Sequence, residues 1–100
     1  MQKLIMCIGL PGSGKTTWAR EQVALNPKFV RINKDDIRRE LKAQGWVWTQ
    51  ETEQDVVNAR DTQITAILSA GGNVISDDTN FGRKHKVRLE KLARQFGAEF

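Results

Sequence analysis

The first residues that can do chemistry form a glycine-rich run between an apolar stretch and a helical one. The run is Gly9-Leu10-Pro11-Gly12-Ser13-Gly14-Lys15-Thr16, which fits the pattern GxxxxGK[ST]. Glycines at these positions let successive backbone N–H groups turn inward, and the positive end of a following helix adds to their pull on an anion. The pattern predicts a P-loop that binds the phosphates of a nucleoside triphosphate.

The polar positions of this predicted loop have separate expected tasks. Lys15 should reach the β- and γ-phosphate oxygens, Thr16 should offer its hydroxyl to Mg²⁺, and Thr17 should support an α-phosphate oxygen. The predicted nucleotide-binding residues are Gly9, Pro11, Gly12, Ser13, Gly14, Lys15, Thr16 and Thr17. A P-loop alone does not separate an ATPase from a GTPase or a kinase.

A second group of polar residues follows the next predicted strand and opens a helix. Asp35 there can accept the proton of an attacking hydroxyl. Arg38 lies three residues on, hence on the same helix face, where it can hold an anionic acceptor. The alternative, a helix cap followed by an exposed basic turn, weighs about equally on local sequence.

Asp77 and Asp78 form the third group, directly after a hydrophobic strand. P-loop proteins place a carboxylate near Mg²⁺ at such a strand end, which makes Asp77 a candidate metal ligand beside Thr16. Two alternatives stay open: the loop shapes the acceptor site and holds an arginine, or it is a purely structural turn.

The elements that must position these groups alternate strand and helix. We predict strands at 4–8, 29–32 and 73–76, and the start of a fourth strand at 98–100. We predict one helix at about 15–25 and a second that begins at a cap, Asn33 or Asp35, and reaches about 43. A third helix is expected at 52–70, and a last one ends at about 96. The prediction is an α/β fold, a parallel sheet with helices on both faces and the P-loop strand in its middle. In such sheets the ligand lies at the carboxyl ends of the strands, where all three groups fall.

Length, charge and cysteine content limit the classes of protein to which the chain can belong. One hundred residues make one domain at most, and no stretch approaches the roughly 20 apolar residues that span a bilayer. The net charge of +4 favours anionic partners such as nucleic acid. The single cysteine, Cys7, excludes an internal disulfide, suits a reducing cytoplasm and is expected to be a small buried hydrophobe.

Two tryptophans, the histidine and the helix at 52–70 are each interpreted first as structural features. Trp46 and Trp48 can stack on a base, but packing is favoured about two to one. His85 is expected to be exposed, since nothing near it in sequence suggests a metal or a triad. The helix at 52–70 has an apolar stripe interrupted around Arg60 and Asp61, with members Val57, Ile64, Ile67 and Leu68.

Together the three groups resemble a known family, the bacteriophage-type 5′-hydroxyl polynucleotide kinases. The matching stretches are Ile8-Gly9-Leu10-Pro11-Gly12-Ser13-Gly14-Lys15-Thr16-Thr17-Trp18-Ala19-Arg20-Glu21, Ile32-Asn33-Lys34-Asp35-Asp36-Ile37-Arg38 and Ile75-Ser76-Asp77-Asp78-Thr79-Asn80. The P-loop is generic, whereas the second and third stretches together are much more specific. The resemblance covers essentially the whole chain as a kinase core.

The resemblance implies a P-loop kinase fold, ATP and Mg²⁺ as cofactors, and transfer of the γ-phosphoryl group to the 5′-hydroxyl end of DNA or RNA. It implies that Lys15 and Thr16 act on the ATP phosphates and Mg²⁺, and that Asp35 is the general base. Arg38 would contact the phosphate 3′ of the accepting nucleoside, with Asp78 orienting it and lining the acceptor pocket. A phage-encoded relative would work in the host cytoplasm.

The chain departs from this family after Phe100, where such kinases continue with a further strand, an arginine-bearing lid and an adenine clamp. We therefore expect a truncated or minimal core, slow in turnover or completed by an oligomer or a partner chain. Two alternatives remain: a kinase of a small-molecule hydroxyl, with less need of Arg38, and a nucleotide-binding module without catalysis of its own.

Overall fold

The structure, a computed structural model, describes residues 2–8, 14–78 and 83–100, and its strands and helices come in the predicted order. Their bounds are β1 Leu4–Met6, α1 Lys15–Leu25, β2 Phe29–Ile32, α2 Lys34–Ala43, α3 Glu53–Ser69, β3 Asn73–Ser76 and α4 Arg83–Gln95. β1 ends before the predicted Ile8, although the Cys7 N–H still donates to the Ser76 carbonyl at 3.0 Å. Within these ranges no helix has the length and apolar character needed to cross a membrane.

The three strands form a parallel sheet in the order β1-β3-β2, with Leu4 opposite Val74 in the register. A parallel bridge joins Lys3 to Glu99 on the side of β1 away from β3. There the Leu4 N–H donates to the Glu99 carbonyl at 2.8 Å, and the Glu99 N–H donates to the Gln2 carbonyl at 2.8 Å. The predicted fourth-strand segment therefore lies beside β1, and β1 has a neighbour on both sides.

The sheet separates two apolar layers, as the predicted three-layer fold requires. On one face, Ala19 of α1 packs with Cys7 and Ile75. The other face carries the larger core, to which α2, α3 and α4 contribute; its buried members are Leu4, Ile32, Ile37, Val56, Ile64, Leu68, Val74, Leu89 and Ala93. Neighbouring residues of β3, Val74 and Ile75, thus point to opposite layers, as strand geometry dictates. Burial raises the pKa of the Cys7 thiol, which fits the predicted role of a small hydrophobe.

The buried face of α3 differs from the predicted stripe. Its buried residues recur every four positions, at Val56, Arg60, Ile64 and Leu68. Arg60 is fully buried rather than an interruption, because Asp61 accepts from its Nε and Nη2 at 3.2 Å each. Val57, a predicted member of the stripe, is only half-buried. Arg60, a long charged side chain with a neighbouring counter-ion, therefore occupies a position on the buried face of α3 where an apolar residue is expected.

Two helix ends fix how the helices join the sheet. Asn33 caps α2, since its side-chain oxygen accepts the Asp36 N–H at 3.0 Å. After α3 the chain turns through Gly71, at φ +86°, and Gly72. A Cβ on Gly72 would lie 2.8 Å from the Cγ2 of Ile67, so a larger residue would push the turn off the helix. The tight turn feeds β3 directly into the sheet.

Candidate active site

A cleft of about 380 Å³ opens at the carboxyl ends of β2 and β3, beside the N-terminus of α1. Its described lining residues are almost all charged or polar: Lys15, Thr16, Arg20, Arg31, Asn33, Lys34, Asp35, Asp36, Arg38, Arg39 and Asp78. Six of them are cations and three are carboxylates, so the cleft has an excess of positive charge. Such a lining suits an anionic ligand rather than an apolar one.

Lys15 and Thr16 form the wall that α1 contributes. Gly14 precedes them at φ +91°, a conformation that favours glycine, and the helix begins directly after it. Lys15 makes no ion pair with any residue in the described ranges. Thr17 is exposed and is not among the described lining residues. The predicted positions Gly9, Pro11, Gly12 and Ser13 lie outside the described residues.

Asp35 and Arg38 meet on the same face of α2, as their spacing predicts. The Arg38 Nη1 donates to the Asp35 Oδ1 at 2.5 Å. Sequence reasoning missed a third member, Glu53 at the start of α3, which accepts from the Arg38 Nε at 3.1 Å and from its Nη2. The Arg38 hydrogen bond lowers the pKa of Glu53, so this carboxylate stays ionised and holds the guanidinium in place.

A second chain of ion pairs ties β2 to β3 and forms part of the cleft wall. The Arg31 Nε donates to the Asp77 Oδ2 at 2.6 Å, and its Nη1 donates to the Asp36 Oδ2 at 2.8 Å. Asp36 also accepts from Arg39 at 2.7 Å. Asp77 is fully buried, and its Oδ1 has no hydrogen-bond partner in the part of the chain that the structure describes. One oxygen of the predicted metal ligand is therefore committed to Arg31, and the other is buried without a described partner; Asp77 is not among the described lining residues of the cleft.

Asp78 does not contact Arg38 among the described hydrogen bonds, contrary to the expected orienting role. Its Oδ1 instead accepts the backbone N–H of Lys34 at 2.7 Å, which fixes the start of α2 against the end of β3. Its buried Oδ2 has no partner among the described residues. Burial raises the pKa of Asp78, because the ionised form loses hydration that these contacts do not replace.

Replacing Asp78 by asparagine should raise the free energy of unfolding at pH 7. Because the folded pKa lies above the ordinary value of 3.8, the stability that Asp78 contributes falls as the pH rises through and beyond that value. Asparagine keeps an oxygen for the Lys34 N–H and carries no charge. Urea unfolding at pH 4.5 and pH 7 measures the gain, which should be larger at pH 7.

The exposed Glu21→Gln variant is the control for this experiment, since it removes one negative charge from the surface of α1. Its stability should follow that of the unmodified chain at both pH values. An Asp78→Asn variant that is less stable at pH 7 than the unmodified chain would show that burial is not the dominant influence on this carboxyl.

A buried basic cluster lies beneath the cleft. Burial lowers the pKa of Lys34, which lines the cleft, and the positive charge of Arg60 lowers it further. The Nη1 of Arg60 lies 3.4 Å from the Nδ1 of His85. His85 is half-buried rather than exposed as expected, and burial and the charges of Lys34 and Arg60 lower its pKa. His85 joins this cluster because the fold brings α4 against α3, and the sequence around His85 does not indicate this contact.

The two tryptophans lie in different environments. Trp46 packs against the larger core and donates its indole N–H to Asp55 at 3.0 Å. Trp48 is 51% exposed and donates to Glu53 at 2.7 Å. Packing is therefore right for Trp46, while Trp48 lies on the surface next to the carboxylate that holds Arg38.

The chain is similar to proteins of known fold over nearly its whole length. The model of the AAA domain family matches residues 4–100. A chain of the Pnkp1/Rnl/Hen1 complex is 29% identical at a TM-score of 0.80, with 95% of this chain and 32% of that chain covered. A chain of the Pnkp1/Rnl/Hen1 RNA repair complex is also 29% identical, at a TM-score of 0.72, with 93% and 29% covered.

A Mycobacterium tuberculosis APS kinase, CysC, is 16% identical at a TM-score of 0.71, with 99% of this chain and 71% of that chain covered. At this identity the likeness concerns the fold alone. The chain spans about one third of the length of the two Pnkp1-complex chains, at 32% and 29%.

Proposed function

The chain belongs to the AAA domain family, with the fold of a P-loop kinase, and from this premise we propose that it transfers the γ-phosphoryl group of ATP to the 5′-hydroxyl end of a polynucleotide. The observation that carries the proposal is the pairing of Asp35 with Arg38 in a cationic cleft that also contains Lys15. A carboxylate beside an anion-binding arginine, facing a predicted phosphate loop, suits an acceptor that carries both a hydroxyl and a phosphate.

The proposed chemistry is a single displacement at phosphorus. The 5′-oxygen forms a bond to the γ-phosphorus as the bond from that phosphorus to the bridging oxygen of ADP breaks. The hydroxyl proton moves to the carboxylate of Asp35, of which Oδ2 makes no described hydrogen bond. Lys15 neutralises charge on the transferred group, and its lack of a protein counter-ion among the described residues supports that role.

Arg38 is proposed to bind the acceptor's phosphate on the 3′ side of the reacting nucleoside. Its guanidinium is one-quarter exposed and lines the cleft, so an oxyanion can approach it. Asp35 in the cleft and Glu53 of α3 both bind it, which fixes its orientation and offsets its charge. We place Asp78 as part of the acceptor pocket through its hold on the start of α2.

The donors present fit a magnesium ion. Mg²⁺ prefers oxygen ligands, and the Thr16 hydroxyl and the unpartnered Asp77 Oδ1 are of that kind. When bound, the ion would neutralise charge on the β- and γ-phosphates. Thr16 and Asp77 would hold it, and Arg31 would orient Asp77 through the other carboxylate oxygen.

Label transfer tests the proposed function. The chain is incubated with γ-labelled ATP, Mg²⁺ and a 5′-hydroxyl RNA oligonucleotide, because one similar chain belongs to an RNA repair complex. The expected result is label on the 5′ end, with none on the same oligonucleotide already carrying a 5′-phosphate. ATP binding without transfer would instead support a nucleotide-binding module.

A matched pair of small acceptors tests the role of Arg38. A nucleoside with a 3′-phosphate should be phosphorylated well, and the same nucleoside without that phosphate poorly. Equal phosphorylation of the two would contradict the proposed phosphate contact and favour a kinase of small-molecule hydroxyls.

A further inference from the structure

The positive charge of the chain is concentrated on one helix. α4 contains six lysines or arginines and one glutamate, a net charge of +5 without His85, while the whole chain carries +4. The residues outside α4 therefore carry a net charge of −1. The basic character that suggests an anionic partner thus belongs to α4 and not to the protein surface in general.

One face of α4 forms a groove with α3. The groove has a volume of about 520 Å³, and Val57 of α3 and Val87 of α4 give it apolar walls. Four cations of α4 line it: Arg83, Lys84, Arg88 and Lys91. No aspartate or glutamate is among its described lining residues. Cations spaced three and four residues apart along one helix face form a continuous basic strip.

Most of this charge has no counter-ion. Arg88 pairs with Asp61, whereas Arg83, Lys84 and Lys91 make no ion pair within the described ranges. Their side chains are exposed. A strip of unneutralised cations beside apolar walls suits a polyanion that also has less polar surface, as a sugar-phosphate chain has.

The groove and the cleft are close enough to share one ligand. Asp78 lines the cleft, and Arg83, which lines the groove, follows five residues later. Five residues of fully extended chain span at most about 18 Å. At the rise of about 3.4 Å per nucleotide of a B-DNA strand, roughly five nucleotides cover that distance, and a more extended single strand needs fewer. Beneath both, His85 of the groove lies 3.4 Å from Arg60, next to Lys34 of the cleft.

We propose that the α3–α4 groove binds the sugar-phosphate backbone of the polynucleotide whose 5′ end occupies the cleft. This inference rests on the proposed function and adds the site that holds the rest of the acceptor. Because the unpaired cations of the groove are matched to phosphates, which carry no sequence information, we expect its binding to depend little on base sequence.

Salt dependence of binding tests the groove with a charge-matched pair of variants. The groove variant is Arg83→Gln/Lys84→Gln/Lys91→Gln. The control variant is Lys3→Gln/Lys28→Gln/Lys86→Gln, whose three residues are exposed outside the groove, one of them on α4 itself. Both variants lower the net charge from +4 to +1. Circular dichroism verifies that both fold.

Fluorescence anisotropy with a labelled single-stranded 20-mer gives the affinity at several salt concentrations. The plot of log K against log salt has a negative slope, and each lost phosphate contact should reduce its steepness by about 0.7. The slope of the groove variant should therefore be shallower by about 2, and that of the control variant should change little. An unchanged slope in the groove variant, or an equal loss in the control, would overturn the proposal. So would binding to vesicles of phosphatidylserine and phosphatidylcholine together with no binding of the 20-mer.

Acceptor length separates this proposal from the proposed function. The groove variant should phosphorylate a dinucleotide as fast as the unmodified chain does, because that acceptor fills the cleft alone, and should show a raised KM for the 20-mer. An equal defect with both acceptors would overturn the groove as a separate site. If the unmodified chain transfers no phosphate but its 20-mer binding still depends on the groove cations, the proposed function fails and the groove stands.

Discussion

Asp35→Asn should lower the rate of phosphoryl transfer by about 10²–10⁴-fold while ATP affinity changes little. Asparagine keeps an oxygen that can accept from Arg38, so the geometry of the pair survives. It cannot take the proton of the attacking hydroxyl. The measurements are single-turnover label transfer, which isolates the chemical step, and ATP binding by equilibrium titration.

Asp36→Asn is the matched control, because it makes the same chemical change one residue away. Asp36 pairs with Arg31 and Arg39, and its amide N–H is capped by Asn33. Its loss should cost less than about tenfold in rate, or about 1.4 kcal/mol in barrier. Equal losses in the two variants would mean that the site requires negative charge on this turn rather than a base at Asp35.

Glu53 shows why part of this site could not be predicted. The Asp35–Arg38 pair is three residues apart on one helix, and helical spacing alone predicts it. Glu53 lies fifteen positions from Arg38, on another helix, and reaches it only because α2 packs against α3. In sequence, a glutamate in the first turn of a helix indicates no more than a favourable interaction with the helix dipole.

The fold was more predictable than the contacts within it. Continuous apolar runs such as residues 4–8 and glycine-marked helix ends such as Gly71 are local signals, and they place the strands and helices well. Arg60 and His85 were misplaced because the burial of a polar side chain depends on which elements pack around it, as when α4 brings His85 beside Arg60 of α3. Asp78 lay at the predicted end of the predicted strand, but its partner was the Lys34 N–H rather than Arg38.

These errors share a physical cause. A helix or strand is selected by periodicity over many residues, whereas the choice of one carboxylate for one guanidinium depends on side-chain reach across two elements. Among the described residues Arg38 binds Asp35 of its own helix and Glu53 of α3 but not Asp78, and small differences in backbone placement decide between such partners. Motif spacing therefore locates the site and leaves its internal pairing open.

Lys15→Ala should weaken both ATP binding and turnover. The ammonium group has no protein counter-ion in the described part of the chain, so its loss removes ligand contacts without freeing a buried carboxylate. Removal of one preorganised donor at a developing charge costs about 10²–10³-fold in rate. Lys15→Arg should rescue little, since a planar fork does not replace a compact point charge.

Ligand-dependent stability gives a readout of the Lys15 variant that needs no turnover. ATP at 100 times its Kd stabilises the unmodified chain by about 2.7 kcal/mol, and a tenfold weaker Kd would reduce that by about 1.3 kcal/mol. Without ATP, Lys15→Ala should unfold at the same urea concentration as the unmodified chain. Lys28→Ala, an exposed change in the turn between α1 and β2, should match the unmodified chain with and without ATP. Unchanged ATP stabilisation in Lys15→Ala would refute the placement of this lysine on the phosphates, and with it the interpretation of the cleft as a nucleotide site.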